Sequence, residues 1–197
     1  MPDVSFSCDC GAMKGVLRDA APQNLCHLVC YCKDCRAFAR HLGQEGKLEA
    51  GGGSALVQVM PAQIEITSGR DHLACLKLSP RGLLRWYASC CNTPVANTVS
   101  SSRVPLAGTW RANYATVEPF GPVTALGFTK MALPGGPKRD KGAFEMLSGL
   151  AKRFLSGLLN GNLRQSPFFD ADGAPVIAPV VLDKEARAAA YKETGST

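Results

Sequence analysis

Cysteine is the residue that points most directly to chemistry in this chain of 197 residues, which contains nine cysteines. Seven of them lie in tight groups near the start and the middle of the chain, and grouped thiolates are typical ligands of tetrahedral Zn²⁺. We therefore predict that the protein binds zinc. The predicted metal ligands are Cys8, Cys10, Cys30, Cys32, Cys35, Cys90 and Cys91.

The middle group has the spacing of a metal-binding turn. Cys32 and Cys35 form a Cys-x-x-Cys motif, and Cys30 adds a third sulfur two residues earlier. Such a turn points two thiolates at a common centre, and a tetrahedral ion then needs further ligands from elsewhere in the fold. The two remaining cysteines, Cys26 and Cys75, lie in apolar runs and are predicted to be buried small hydrophobic residues.

The first group, Cys8 and Cys10, is a second half-site. Residues two apart at the end of an extended strand face the same side, and Gly11 allows the tight turn that brings both sulfurs onto one ion. The adjacent pair Cys90 and Cys91 is the remaining group that could close this site.

Alternating apolar and polar residues predict strands around these groups. Residues 4–8 and 14–18 form a predicted hairpin with Cys8 and Cys10 at its tip, and a short helix is predicted over residues 36–42. Five β-prone runs follow, separated by Pro, Gly and the last cysteine pair, which indicates a meandering antiparallel sheet. These runs are residues 56–60, 63–67, 73–78, 82–87 and 94–99.

The rest of the chain contains no cysteine; residues 104–133 have a mixed pattern, and helical patterns follow. Apolar residues recur at helical spacing over residues 141–160, which predicts an amphipathic helix packed on the sheet. A second, short helix is predicted over residues 184–192. We therefore predict a zinc-binding β domain over residues 1–133 and a C-terminal helical extension over residues 134–197 that packs on it.

The composition is that of a folded globular protein, with 46% hydrophobic and 19% charged residues. The start of the chain lacks a secretory signal pattern, and no window approaches the roughly 18 apolar residues of a membrane span, so we predict a cytoplasmic protein without a membrane partner. The net charge is +6, but the clearest basic cluster is only Lys138, Arg139 and Lys141, which does not favour nucleic-acid binding. The sequence does not define an oligomeric state.

The cysteine groups resemble those of the glutathione-dependent formaldehyde-activating enzymes and their relatives, which include the centromere protein V domain. The resemblance rests on Cys8-Asp-Cys10-Gly, on Cys30-Tyr-Cys32-Lys-Asp-Cys35-Arg, and on the segment 87–95 around the last pair. It covers about the first half of the chain, so the protein looks like a divergent member of that family. The implied fold is mainly β, the antiparallel β-sheet zinc-binding fold of the formaldehyde-activating family, with added C-terminal helices.

The resemblance also implies two zinc sites with different roles. In the family, the first and last cysteine pairs bind a structural zinc, and the middle three cysteines hold a second zinc with an open position for a thiol-bearing substrate. Carried across, Cys8, Cys10 and Cys91 are structural ligands. The implied catalytic residues are Cys30, Cys32 and Cys35.

The last cysteine group departs from the family pattern, which reads aromatic-Cys-x-x-Cys-Gly-Ser. Here Ala88 replaces the first cysteine, and Cys90 is an extra cysteine directly before Cys91. Adjacent residues of an extended strand project to opposite sides, so three interpretations stay open. The chain turns between the two and both bind the structural zinc; Cys91 binds it alone, with water or another residue as the fourth ligand; or Cys90 turns toward the middle group.

Charge limits what the middle site can do. Zn²⁺ with three thiolates carries one net negative charge, which weakens it as a Lewis acid and suits the binding and exchange of a thiol. The neighbouring Lys33, Arg36, Arg40 and His41 are candidates for holding a carboxylate of such a ligand. Two function classes stay open: a carbon–sulfur lyase-type enzyme acting on a small, glutathione-like thiol adduct, and a non-catalytic zinc-stabilised binding module.

Overall fold

The fold is mainly β, with three α-helices, in the computed structural model, which describes residues 2–193. The helices are α1 (Lys33–His41), α2 (Ala143–Leu159) and α3 (Lys184–Tyr191). The strands are β1 (Val4–Ser7), β2 (Lys14–Leu17), β3 (Cys26–Cys30), β4 (Ser54–Val59), β5 (Ile64–Ser68), β6 (Leu73–Lys77), β7 (Leu84–Ala88), β8 (Thr93–Thr98), β9 (Ala107–Trp110), β10 (Ala125–Gly127) and β11 (Val180–Val181).

The strands form two sheets. A three-stranded antiparallel sheet has the order β1-β2-β5, and an eight-stranded sheet has the order β10-β3-β4-β9-β8-β7-β6-β11. The inner strands of the larger sheet pair antiparallel, whereas its edge strands β10 and β11 pair parallel to their neighbours. The predicted hairpin is confirmed. The five β-prone runs do not form one meander, because a 3₁₀ turn at Pro61–Gln63 sends β5 into the smaller sheet.

The core is built on aromatic side chains from both the strands and the C-terminal segment. Trp86 of β7 and Trp110 of β9 are fully buried. Phe168 stacks on Trp86 with ring centroids 5.0 Å apart, and Phe169 meets the same ring edge-on at 6.4 Å. The segment predicted as an extension packed on the β domain thus contributes to the core beside the sheet, while a domain boundary after residue 133 stays a prediction.

Helices α1 and α3 pack together beside the middle cysteine group. Helix α1 begins at Lys33, three residues before the predicted start, because Cys32 caps it: the Sγ of Cys32 accepts the N–H of Cys35 at 3.4 Å. At the other end of the chain, the hydroxyl of Tyr191 in α3 donates to the carboxylate of Asp34 in α1 at 2.7 Å. This bond ties the last helix to the start of the first.

Helix α2 lies where the sequence predicts it, but its apolar side does not face the sheet. Within α2 only Arg153 and Gly157 are buried, although the helix contacts β10 and β3. The large apolar side chains that point outward are Phe144, Leu147, Phe154, Leu155, Leu158 and Leu159. The periodicity marks a stripe correctly, but it does not say which side of the helix the sheet occupies. Within residues 2–193, no helix combines the length and the apolar content that crossing a bilayer requires.

Gly15 of β2 tests the packing of the small sheet that carries the first cysteine pair. A Cβ added there would collide with the ring of Phe6 and the carbonyl oxygen of Glu65. We expect Gly15→Ala to lower the free energy of unfolding by about 1–3 kcal/mol, because overpacking a closed site forces its neighbours to shift. Gly46→Ala is the control, since no atom lies within 4 Å of its Cβ position. Equal denaturant midpoints for the two variants would contradict this packing.

Candidate metal centres

The first and last cysteine pairs converge on one point. Cys8 and Cys10 lie in the turn between β1 and β2, and Cys90 and Cys91 lie in the turn between β7 and β8. The Sγ of Cys90 is 3.7 Å from that of Cys8, 3.4 Å from that of Cys10 and 3.8 Å from that of Cys91. All four sulfurs lie within 4.8 Å of one another. In a tetrahedral site with Zn–S bonds of about 2.3 Å the sulfurs are about 3.8 Å apart, so this group fits one ion.

The tight turn between β7 and β8 explains how adjacent cysteines reach the same centre. β7 ends at Ala88 and β8 begins at Thr93, so Cys90 and Cys91 do not lie in an extended strand. Asn92 adopts a left-handed backbone with φ of 55°, which closes the turn. Of the three interpretations left open by the sequence, this geometry favours the first, with both sulfurs at the closed site and Cys90 away from the middle group.

Two sulfurs of the first site, those of Cys8 and Cys91, have close hydrogen-bond partners outside the cysteine group. The N–H of Met13 donates to the Sγ of Cys8 at 3.2 Å, and the hydroxyl of Thr93 lies 3.1 Å from the Sγ of Cys91. Burial raises the pKa of the Cys91 thiol, but the bonds from Thr93 and from the backbone and side chain of Cys10 outweigh it and lower the pKa to about 6. Cys91 is therefore ready to act as a thiolate near neutral pH.

The middle group forms a separate three-sulfur cluster where β3 meets α1. Cys30 is the last residue of β3, Cys32 caps α1, and Cys35 lies in its first turn. The Sγ atoms of Cys30 and Cys35 are 3.8 Å apart, and all three sulfurs lie within 4.8 Å of one another. Among residues 2–193, no His, Asp, Glu or further Cys side chain joins this group as a fourth ligand.

A buried arginine, which the sequence reasoning missed, faces the middle cluster. Arg85 of β7 is 2% exposed, and its Nη1 donates to the Sγ of Cys35 at 3.5 Å. Its other terminal nitrogen lies 3.9 Å from the carboxylate of Asp34, and its guanidinium lies over the ring of Phe38. Hydrogen bonding with Cys30 and Cys32, together with the charge and hydrogen bond of Arg85, holds the pKa of the Cys35 thiol well below its usual range. The available signal was a charged residue in the middle of an otherwise apolar strand.

The basic residues that the sequence places near this cluster are mostly engaged elsewhere. Arg36 is buried and donates to the carbonyls of Tyr31 and Met131 and to Glu193. Arg40 donates to a carbonyl of α3. His41 lies on the exposed surface at the end of α1. The expectation that these three hold a ligand carboxylate therefore gives way to a structural role for the two arginines. Lys33 alone of the four lines the space beside the cluster.

That space is a cavity of about 900 Å³, and all three cysteines of the middle group line it. Most of its wall is apolar, and Gly108 of β9 leaves part of the floor free of any side chain. Its charged lining residues are Lys33, Asp34, Arg85, Lys184 and Arg187. A ligand in this cavity can therefore contact both the sulfur cluster and the basic side chains of the lining.

The two cysteines outside the groups are buried, as predicted. Cys26 is 4% exposed and Cys75 is 2% exposed. Burial raises the pKa of both thiols, to about 12 for Cys75, and neither thiol lies in a group of side chains that could hold an ion.

The chain belongs to a family of unknown function (DUF6151), whose profile matches residues 2–179. No curated protein matches the chain. Among solved structures, a crystal structure of a Rhodobacter sphaeroides protein is 18% identical over 62% of this chain and 98% of that protein, with a TM-score of 0.41. A similarity this low carries no argument about fold or function. The resemblance to the formaldehyde-activating enzymes stays a prediction.

Cys8 and Cys26 are equally buried, so they form a matched pair for testing the first centre. We expect Cys8→Ser to lose one zinc per chain and to lower the thermal midpoint well beyond the effect of Cys26→Ser, because metal binding at a structural site adds directly to folding free energy. Elemental analysis and calorimetry measure the two effects. Unchanged metal content in Cys8→Ser, or equal midpoints for the two variants, would refute the assignment.

Proposed function

We propose that the protein binds two zinc ions, one closed in by four thiolates and one held by three thiolates with access for a small thiol. The observation that carries this proposal is the contrast between the two groups. Cys8, Cys10, Cys90 and Cys91 form a set of four, enough for a closed tetrahedral site, whereas Cys30, Cys32 and Cys35 form a set of three that lines a large cavity. Closed four-ligand sites are structural, and sites with three protein ligands leave a position for another molecule.

The donor atoms support zinc as the metal. Both groups consist of cysteine sulfur alone, and soft thiolate ligands select zinc over hard cations such as Mg²⁺ and Ca²⁺. When bound at the middle group, Zn²⁺ would stabilise the thiolate form of a ligand thiol at neutral pH.

Arg85 gives the middle group a balanced charge. Three thiolates around Zn²⁺ leave one net negative charge, and the buried guanidinium of Arg85 offsets it at hydrogen-bond distance from Cys35. Without that cation, the approach of a further anionic sulfur would be opposed by like charge. Lys33, Lys184 and Arg187 in the lining favour a ligand that also carries carboxylates.

Asp34 gives the cavity a candidate for proton transfer. Its carboxylate accepts the Tyr191 hydroxyl at 2.7 Å, and both residues line the cavity. In a thiol–aldehyde adduct, Asp34 would accept the hydroxyl proton, the electron pair of the O–H bond would form the C=O double bond, and the C–S bond would break with its electron pair passing to sulfur. Return of the same proton to sulfur then releases an aldehyde and a thiol. This carbon–sulfur lyase-type reaction is the function that the site and the family resemblance support best.

A thiol titration tests the proposal. We expect glutathione to bind the zinc-loaded protein, and Cys32→Ser to weaken binding at least tenfold, or about 1.4 kcal/mol, while leaving the four-thiolate centre intact. S-methylglutathione keeps the carboxylates but lacks the thiol, so it should bind much more weakly to the wild type. If calorimetry detects no heat with glutathione, the proposal that the protein binds thiols is wrong. If the wild type and Cys32→Ser bind glutathione equally, the assignment of the thiol site to the middle group is wrong.

Gly108 allows the cavity to be filled without touching a cysteine. Its Cβ position meets only the side chain of Leu56, at 3.6 Å, so a larger residue fits the backbone and occupies cavity space. We expect Gly108→Val to keep both zinc ions and to lower glutathione affinity at least about tenfold. Unchanged affinity with full zinc content would show that thiols reach the metal by another route.

A further inference from the structure

Helix α2 presents an apolar stripe to the outside. Residues at spacings of three and four fall on one face of a helix, and so do residues eight apart, about two turns on. Phe144 and Leu147 therefore share a face with Leu155 and Leu158. These side chains are 79%, 67%, 58% and 53% exposed, respectively. So large an exposed apolar face is typical of a surface that meets a partner.

The inner side of α2 contains two half-buried apolar residues, Met146, which packs against the core, and Leu150. The buried positions of α2 are Arg153 and Gly157, and none of the three guanidinium nitrogens of Arg153 has a hydrogen-bond partner within residues 2–193. A buried charge without a partner costs stability, and glycine adds almost no apolar contact. Most of the large apolar side chains of α2 thus lie on its outer side, where none of residues 2–193 covers them.

The charged residues around the stripe indicate what kind of partner binds it. Basic residues precede α2, lie within it and follow it, and all are exposed: Lys138, Arg139, Lys141, Lys152 and Arg164. Residues 138–164 contain two acidic residues, Asp140 and Glu145. The carboxylate of Asp140 accepts hydrogen bonds from Thr129. A second copy of the chain on the same face would bring like charges together. An anionic surface with an apolar interior complements both the stripe and its basic flanks.

We propose that the outer face of α2 binds the surface of a membrane containing anionic lipids. The helix lies in the plane of the interface, its Phe and Leu side chains enter the boundary between headgroups and acyl chains, and the flanking Lys and Arg residues contact lipid phosphates. Helix α2 also contributes Met146 to the lining of the thiol cavity, but the residues of the stripe do not line it. The protein would then bind a membrane surface without crossing the membrane, and the sequence-based expectation of no membrane partner would be wrong.

Flotation of the full-length, zinc-loaded protein with lipid vesicles tests this proposal. We expect binding to vesicles of phosphatidylcholine with about 30% phosphatidylglycerol at low salt, at least tenfold stronger than to phosphatidylcholine alone, and weakened by about 0.5 M NaCl. The double variant Leu155→Glu/Leu158→Glu should lose binding by at least tenfold. Val180→Glu, at a valine that is 66% exposed outside α2, is the control and should bind like the wild type. Unchanged zinc content and thermal midpoint in each variant show that the fold is intact.

Several results would overturn the proposal. These are absence of flotation with anionic vesicles, equal binding to neutral and anionic vesicles, and undiminished binding by the Leu155→Glu/Leu158→Glu variant. A dimer detected by light scattering that the same variant dissociates, without vesicle binding, would assign the stripe to a second copy and would equally overturn the membrane proposal. Glutathione titration of the same samples shows whether thiol binding in the cavity changes, so a failure of membrane binding is distinguished from a failure of thiol binding.

Discussion

Four sulfur atoms must come within about 3.8 Å of one another if one zinc ion is to hold them, and this convergence constrains the whole β structure. Cys8 and Cys10 come from the hairpin of the three-stranded sheet, whereas Cys90 and Cys91 come from a turn of the eight-stranded sheet. A metal at this point would join the two sheets. The site therefore depends on both turns, and each turn depends on the strands that lead into it.

The middle cluster is governed by charge as well as by position. Three thiolates brought together at the start of α1 repel one another unless cations balance them. Zn²⁺ would supply most of the positive charge, and Arg85 would balance the remaining negative charge from the neighbouring sheet strand. The cluster lacks a fourth ligand among the described residues, and it borders a cavity. Both features suit the cluster to binding an incoming thiol.

The sequence was sufficient where the signal is local. The spacing of Cys8 and Cys10, the Cys-x-x-Cys turn at Cys32 and the helical patterns before and after the sheet all predict features that the structure contains. The sequence does not decide whether Cys90 and Cys91 reach the same metal site, because this depends on the left-handed backbone of Asn92. The contact of Arg85 with Cys35 joins residues far apart in the chain, and periodicity alone could not say that the stripe of α2 faces outward. Sequence patterns report which residues share a face; the surrounding fold decides what that face meets.

The central claim is that the protein holds two zinc ions in sulfur-rich sites of different completeness. X-ray absorption at the zinc edge, combined with elemental analysis of protein purified without chelator and without added thiol, measures this most directly. The account predicts two zinc ions per chain and about three and a half sulfur ligands per zinc on average, at about 2.3 Å, with the balance from a lighter atom. A single zinc per chain, or a shell dominated by nitrogen and oxygen, would contradict it.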